Sequence, residues 1–327
     1  KGHMIGYVVR RLFVSIPVVL MSSFAVFCLV AVSGDPLRHL REQSGIDAEA
    51  IAAREVALGL DKPIPVRYLE WFGGVVRGDF GVALDGEPVL AKLTRAFGVT
   101  MRMVVAAALI ALVVAIVLGV IAAVRQYTPI DYATTFFAFV FFSMPVFFLA
   151  GILKDVAIRI NELTGRTIFS TVGERSPTPV DGLLPTVLDR LGHMALPTMT
   201  LVLITLAAWS RYQRASMLDV LSADYIRTAR AKGVGERKVI FKHGLRNALI
   251  PLTAVAAVDF ASLVNGSIIV ETVFAWNGLG RLFIEALNTG DVYVASAWLF
   301  IAAGAVIVFN IVADIIYGLL DPRIRHA

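Results

Sequence analysis

Between Arg102 and Arg125 the chain runs from Met103 to Val124 without a charged residue. A stretch that long and that apolar has one stable solution, an α-helix crossing a bilayer. About 20 apolar residues span the hydrocarbon, and every backbone N–H and C=O must find its partner inside the segment. The full span reads as Val99 to Val124. Five others meet the requirement: roughly Leu12 to Val32, Ala133 to Ala157, Ala195 to Trp209 with some extension, Leu252 to Phe274, and Ala295 to Leu319. Only 17% of the 327 residues are charged, against about 25% in an average soluble domain. The predicted fold class is an all-α integral membrane protein with six transmembrane helices.

Charge sets the orientation. Arg10 and Arg11 open the first span, Arg125 closes the second, a basic cluster follows the fourth, and Arg323 and Arg325 follow the sixth. Lys and Arg favour the cytoplasmic side, so both termini are expected there. The net charge of +5 gathers beside spans, which topology explains and nucleic-acid binding does not. The single cysteine, Cys28, lies in the first span, so no disulfide, zinc or iron–sulfur set is expected. Lys1 to His3 reads as a cloning remnant. No cleavable signal is expected, because the first apolar run is long enough to span.

The expected organisation is a first transmembrane helix over 4–33, an extracytoplasmic helical segment over 34–98, and a five-helix core over 99–327. In the external segment Ser44 or Asp47 can cap a helix through AEAIAAREVAL that ends at Gly59. PVRYLEWFGGVV reads as a second, amphipathic helix lying on the membrane. Arg159 to His193 reads as a loop, and Trp276 to Gly280 as a sharp turn. No internal repeat is evident.

Arg211 to Pro251 is densely basic as well as helix-forming, with nine Lys/Arg against three acids. Leu218, Leu221, Tyr225, Ile226 and Ala229 recur at helical spacing, so an amphipathic surface helix is predicted. Gly233 and Gly235 break it. A second short run, Arg237 to Leu249, leads to Pro251 in the first turn of the next span.

Few residues could carry catalysis. His193 and His243 stand alone, and no glycine loop ending in Lys-Ser/Thr occurs, so the chain is not expected to bind a nucleotide that way. A membrane hydrolase would need a convergent constellation that these spans lack. Asp259, Ser262 and Gly266 share one face of the fifth span with Asn265 beside it. Such a stripe more often glues helices together; its functional reading is a hydrated translocation path. An ion-driven transporter would need more embedded carboxylates. Lys154, Asp155, Asp314 and Tyr317 read as structural or interfacial, and Pro145 after Ser143 as a bend in the third span.

YIRTARAKG (Tyr225 to Gly233) with RNALIP (Arg246 to Pro251) resembles the EAA-type loop of binding-protein-dependent ABC importer permeases, in its dipeptide and oligopeptide branch. LGLDKPIPVRYLEWFGGVVRGDFG, SMPVFF, HMALPTMTL, ETVFAWNGLGRL and NIVADIIYGLLDPRIR resemble further blocks of that family, so the likeness covers nearly the whole chain. Arg227 replaces the acid of the general EAA pattern, as is usual in the peptide branch. Val82 and Ala83 stand where that branch has serine, so no role for that serine carries over.

The resemblance implies a type I importer permease in the bacterial inner membrane, without a cofactor of its own, ATP and Mg being bound by partners. Those partners are a second homologous permease, two ATPase subunits or domains, and an external binding protein, which the segment from Ser44 to Gly78 would touch. Tyr225, Ile226 and Ala229 would form the buried face of the ATPase contact, Arg227 and Arg230 its charged rim, and Gly233 the turn. Asp259, Ser262 and Asn265 are the candidates for the path. Peptides are the expected substrate, with nickel chelates or glutathione the alternatives within the family.

Overall fold

The computed structural model describes residues 2–33, 36–37, 41, 48–57, 59–178 and 181–320. The elements are α1 (Gly2–Ser33), α2 (Ala48–Ala57), α3 (Ile64–Val75), α4 (Val89–Val124), α5 (Pro129–Ser143), α6 (Val146–Thr164), α7 (Leu183–Ser222) and α8 (Asp224–Ala231). α9 (Glu236–Val273), α10 (Leu279–Thr289) and α11 (Val292–Leu320) follow. Among the described residues five helices are long and apolar enough to cross a membrane, and the bent pair α5–α6 makes six if counted as one span.

That pair revises the expected third span. Instead of one bent helix there are two, at 108° to one another. Met144 is extended (φ −78°, ψ 129°), as the ring of a following proline demands, and Pro145 starts α6 as its N-cap. The long helices also overrun their apolar cores: α7 reaches back to Leu183 and on to Ser222, and α6 runs to Thr164. The external loop is therefore shorter than expected.

The chain divides into two compact units, Lys1–Val99 with Asn277–Val308, and Thr100–Trp276 with Phe309–Ala327. In the first, α3 packs on α1. The Tyr68 hydroxyl lies 2.7 Å from Ser23 Oγ, and Tyr68, Trp71 and Phe27 form an aromatic cluster with ring centroids 5.5–5.9 Å apart. Trp71 Nε1 donates to the Phe80 carbonyl at 3.0 Å. The α3 face expected to meet lipid is thus committed in part to α1, because its aromatic rings find closer partners there. α2 ends as expected, with Gly59 at φ +65°; its candidate caps Ser44 and Asp47 lie outside the described residues.

α10 was not foreseen. Gly278 precedes it and Gly290, at φ +71°, ends it. Asp291 then starts α11: its carboxylate accepts the Val294 N–H at 3.1 Å and the Leu84 N–H at 2.8 Å. Burial pushes the Asp291 carboxyl above its usual range, and those two N–H groups pull it back.

In the second unit α9 packs most extensively on α7, with α5 and α6 against α7 and α6 also against α9. α4 and α7 approach closely at Gly119, where a Cβ would stand 2.6 Å from Cβ of Gln213 and 2.9 Å from the Ser210 carbonyl oxygen. The guanidinium of Arg211 sits 4.4 Å from the Phe139 ring centroid, joining α7 to α5. The buried carboxylate of Glu271 accepts the Thr100 hydroxyl at 2.6 Å and the Ser267 hydroxyl at 3.2 Å.

Candidate coupling surface

The basic stretch is not one surface helix. Its first part is the end of α7. Ala223 then turns extended (φ −69°, ψ 149°) and α8 begins, with Asp224 in its first turn and Arg230 in its last, both complementary to the helix dipole. α8 stops at Gly233, whose φ of +75° only glycine adopts readily. No atom lies within 4 Å of where a Cβ would be, so conformation and not space requires glycine there. Gly235 has φ −59° and simply precedes the next helix.

The turn is latched on its charged side. Arg230 forks onto Glu236, Nη2 donating to Oε1 at 2.7 Å and Nε to Oε2 at 3.2 Å. Glu236's hydrogen bond raises the Arg230 pKa further, against a smaller opposing effect of burial. The Arg227–Asp224 pair, at 3.5 Å, is open to solvent. Asn247 Nδ2 donates to the Tyr225 hydroxyl at 3.0 Å, tying α8 to the start of the next span.

Ile226 corrects the expected contact face. Its side chain is fully buried within this chain, whereas Tyr225, Arg227 and Arg230 are exposed and Ala229 is half-buried. An eight-residue helix has one apolar stripe, and α8 turns it toward α7 and the segment that follows. Ile226 holds α8 in place and leaves Tyr225 and the arginines to face outward.

That following segment is π-helical from Val239 to Leu245, between a single turn Glu236–Lys238 and Arg246–Val273. Pro251 therefore sits inside a helix that is already running, not in its first turn. The wider π turn brings Gly244 against α7, where a Cβ would meet Met217 Cε at 3.0 Å and the Val239 carbonyl oxygen at 3.3 Å. Beneath lies a buried cluster of Val120, Ala123, Met217 and Ala248, with Ile116, Leu221, Ile240 and Leu245 packed on it. α8 contacts α7 and this segment, and both of those pack on the cluster together with the inner end of α4. Neither the π turn nor the partners Glu236 and Asn247 was foreseen; Arg230 and Glu236 flanking a glycine pair was the available signal.

The stripe on α9 divides. Asp259 Oδ2 accepts the Trp209 indole N–H at 2.9 Å, a link to α7. Ser262 and Asn265 are exposed, and with Val258, Ile269 and Thr272 they make one continuous face. At the outer end, Lys154 Nζ donates to the Val273 carbonyl at 2.8 Å, so it holds the terminus of α9 instead of snorkelling outward. Asp155 is exposed. His193 is buried, with Nδ1 2.9 Å from the Asp189 carbonyl oxygen. His243 is half-buried in the π turn. The side chains of Asp314 and Tyr317 lie outside those described.

Residues 115–326 match the model of the binding-protein-dependent transport system inner membrane component, and residues 4–92 match the model of its N-terminal part. The oligopeptide transport system permease protein OppB of Mycobacterium tuberculosis is 39% identical over 98% of this chain and 99% of its own length. AppB of Bacillus subtilis, also an oligopeptide transport system permease protein, is 37% identical over 99% of this chain and 100% of its own. The dipeptide transport system permease protein DppB of Escherichia coli K12 is 35% identical over 99% of each. Among solved structures, a chain of the inward-facing MetNI methionine ABC transporter superposes with a TM-score of 0.54 at 19% identity, covering 71% of this chain and 97% of that one.

Proposed function

Because the chain belongs to the family of binding-protein-dependent transport system inner membrane components, we propose that it is the permease subunit of an ATP-driven importer of dipeptides or oligopeptides. The observation that carries the peptide assignment is near end-to-end similarity to three peptide permeases at 35–39% identity. The chain spans the inner membrane and has no ATPase domain; ATP is bound and hydrolysed by partner subunits. An external binding protein delivers the substrate, and a second, homologous permease completes the path.

In this reading α8 is the coupling helix. Tyr225, Arg227 and Arg230 face a groove of the ATPase subunit, with Ala229 at the edge. Ile226 anchors the helix from behind, and Gly233 with the Arg230–Glu236 fork fixes its angle. Rigid-body movement of the ATPase then passes through Gly244, Met217 and the cluster beneath to α4, α7 and α9. Ser262 and Asn265 face the translocation path, and Asp259 holds their helix to Trp209.

The test is uptake of labelled peptides into proteoliposomes containing the whole assembly. Uptake should require ATP, the ATPase subunits and the binding protein together. Uptake of a nickel chelate or glutathione, but of no peptide of any length, would overturn the substrate assignment.

A further inference from the structure

Beyond the outer end of α9 the structure holds a small cavity of about 70 Å³ lined by Arg102, Glu174, Arg175, Arg190, Met194 and Trp276. Its volume equals on the order of two water molecules at about 30 Å³ each, enough for one carboxylate group and not for a whole peptide. The lining is strongly biased, with three arginines against one glutamate. Glu174 lies 3.6 Å from Arg102. Among the described residues no carboxylate lies within salt-bridge distance of Arg175 or Arg190, and both are exposed.

The adjacent acid, Asp189, is engaged elsewhere: the Ser176 backbone N–H donates to it at 3.0 Å and the Ser176 hydroxyl donates to its other oxygen. The floor is apolar, formed by the buried Trp276 and half-buried Met194. A charge-assisted hydrogen bond gains strength beside such a surface.

The frame is also fixed before any ligand arrives. Gly173 N–H donates to the Phe274 carbonyl at 2.8 Å, pinning the loop that carries Glu174 and Arg175 to the end of α9. The Ser176–Asp189 bonds pin the same loop to α7 beside Arg190. Guanidinium groups carried on a pinned backbone around a group-sized cavity are suited to a planar carboxylate.

We propose that this cavity is an extracytoplasmic receiving site for the free C-terminal carboxylate of the transported peptide, contacted by Arg175 and Arg190 as the substrate leaves the binding protein. This rests on the peptide-importer reading above. It adds that the permease itself reads one end of its substrate, at the outer end of the helix that carries Ser262 and Asn265.

The experiment uses the whole importer in proteoliposomes and a labelled peptide as its free acid and as its C-terminal amide. The intact protein is compared with the Arg175→Gln/Arg190→Gln double variant, in phosphatidylcholine with and without phosphatidylglycerol. The quantity read is the kcat/KM for the acid divided by that for the amide, in which any preference of the binding protein is common to both proteins. The site predicts that this ratio falls about tenfold or more in the double variant, the scale of a lost charged hydrogen bond. It also predicts that Arg175→Lys/Arg190→Lys retains part of the preference.

An unchanged ratio, with both peptides slowed equally, would overturn the site. An equal loss for both peptides seen only with phosphatidylglycerol would also overturn it and assign the arginines to a lipid phosphate. If the intact assembly imports neither peptide, the peptide-importer reading fails, an outcome distinguishable from failure of the site alone.

Discussion

Arg214 and Asp131 form a two-pronged ion pair, Nε to Oδ1 at 2.6 Å and Nη2 to Oδ2 at 2.8 Å, between α7 and the start of α5. Asp131 is almost wholly buried and also accepts the Tyr127 N–H at 3.0 Å. Arg214 keeps 27% of its side chain exposed, so removing Arg214 strands a buried carboxylate, whereas removing Asp131 leaves a guanidinium that can reach water. Arg214→Ala should destabilise the assembled protein by about 3 kcal/mol and Asp131→Ala by clearly less. The double variant should cost clearly less than the sum, because the two losses are one interaction. Thermal unfolding in detergent reads this, and strictly additive losses would contradict it.

Gly244 supports a sharper test of the link between α8 and the bundle. Gly244→Ala should be tolerated in part, since the nearest atom is the flexible end of Met217. Gly244→Val should displace the π turn and lower peptide-stimulated ATP hydrolysis severalfold, on the scale of about 1–3 kcal/mol for overpacking. Met217→Ala added to Gly244→Val should restore part of the activity. No recovery would mean that the contact does not carry the motion.

The spans were legible because long uncharged runs admit one solution in lipid, and Gly233 because the residues around it are strongly patterned. The remaining features depend on contacts that sequence order hides. Arg214 and Asp131 are 83 positions apart. The π turn leaves no residue type of its own, only a shift of packing around Gly244 and Leu245. LGRLFIEALNT is too short to stand out beside a glycine turn, so α10 was hidden. The resemblance of YIRTARAKG to the family loop put Ile226 on the ATPase contact, but its side chain is buried within this chain; the direction of a short helix's stripe is decided by what lies beneath it.

Asp291 predicts a pH dependence in the first unit. Burial raises its folded-state pKa above the ordinary value of 3.8. Its contribution is therefore fully present below the unfolded pKa and is lost as pH rises through the folded one. The stability advantage of the intact protein over Asp291→Asn should shrink as pH rises from below 3.8 through the acidic range. Paired melting curves across that range measure it; a widening gap would contradict the assignment. At neutral pH Asp291→Ala should still cost about 1–3 kcal/mol, because the buried Val294 N–H loses its carboxylate acceptor.

Thr100→Val should destabilise the second unit by about 1 kcal/mol, the loss of one buried hydrogen bond to Glu271. Thr100→Ser should restore most of it. Equal effects of valine and serine would point to packing in place of the hydroxyl.

In the proposed importer α8 transmits work from the ATPase to the bundle through its exposed face. The most direct measurement is the number of peptides imported per ATP hydrolysed, comparing the intact protein with Arg227→Glu, an exposed position whose pair with Asp224 is open to solvent and whose change leaves Ile226 and the Tyr225–Asn247 bond in place. The account predicts that the variant complex still contains both permeases but imports at least tenfold less peptide, with the ratio to ATP hydrolysed falling as well. Normal import by the variant, or import by the intact chain without ATPase subunits, would contradict it.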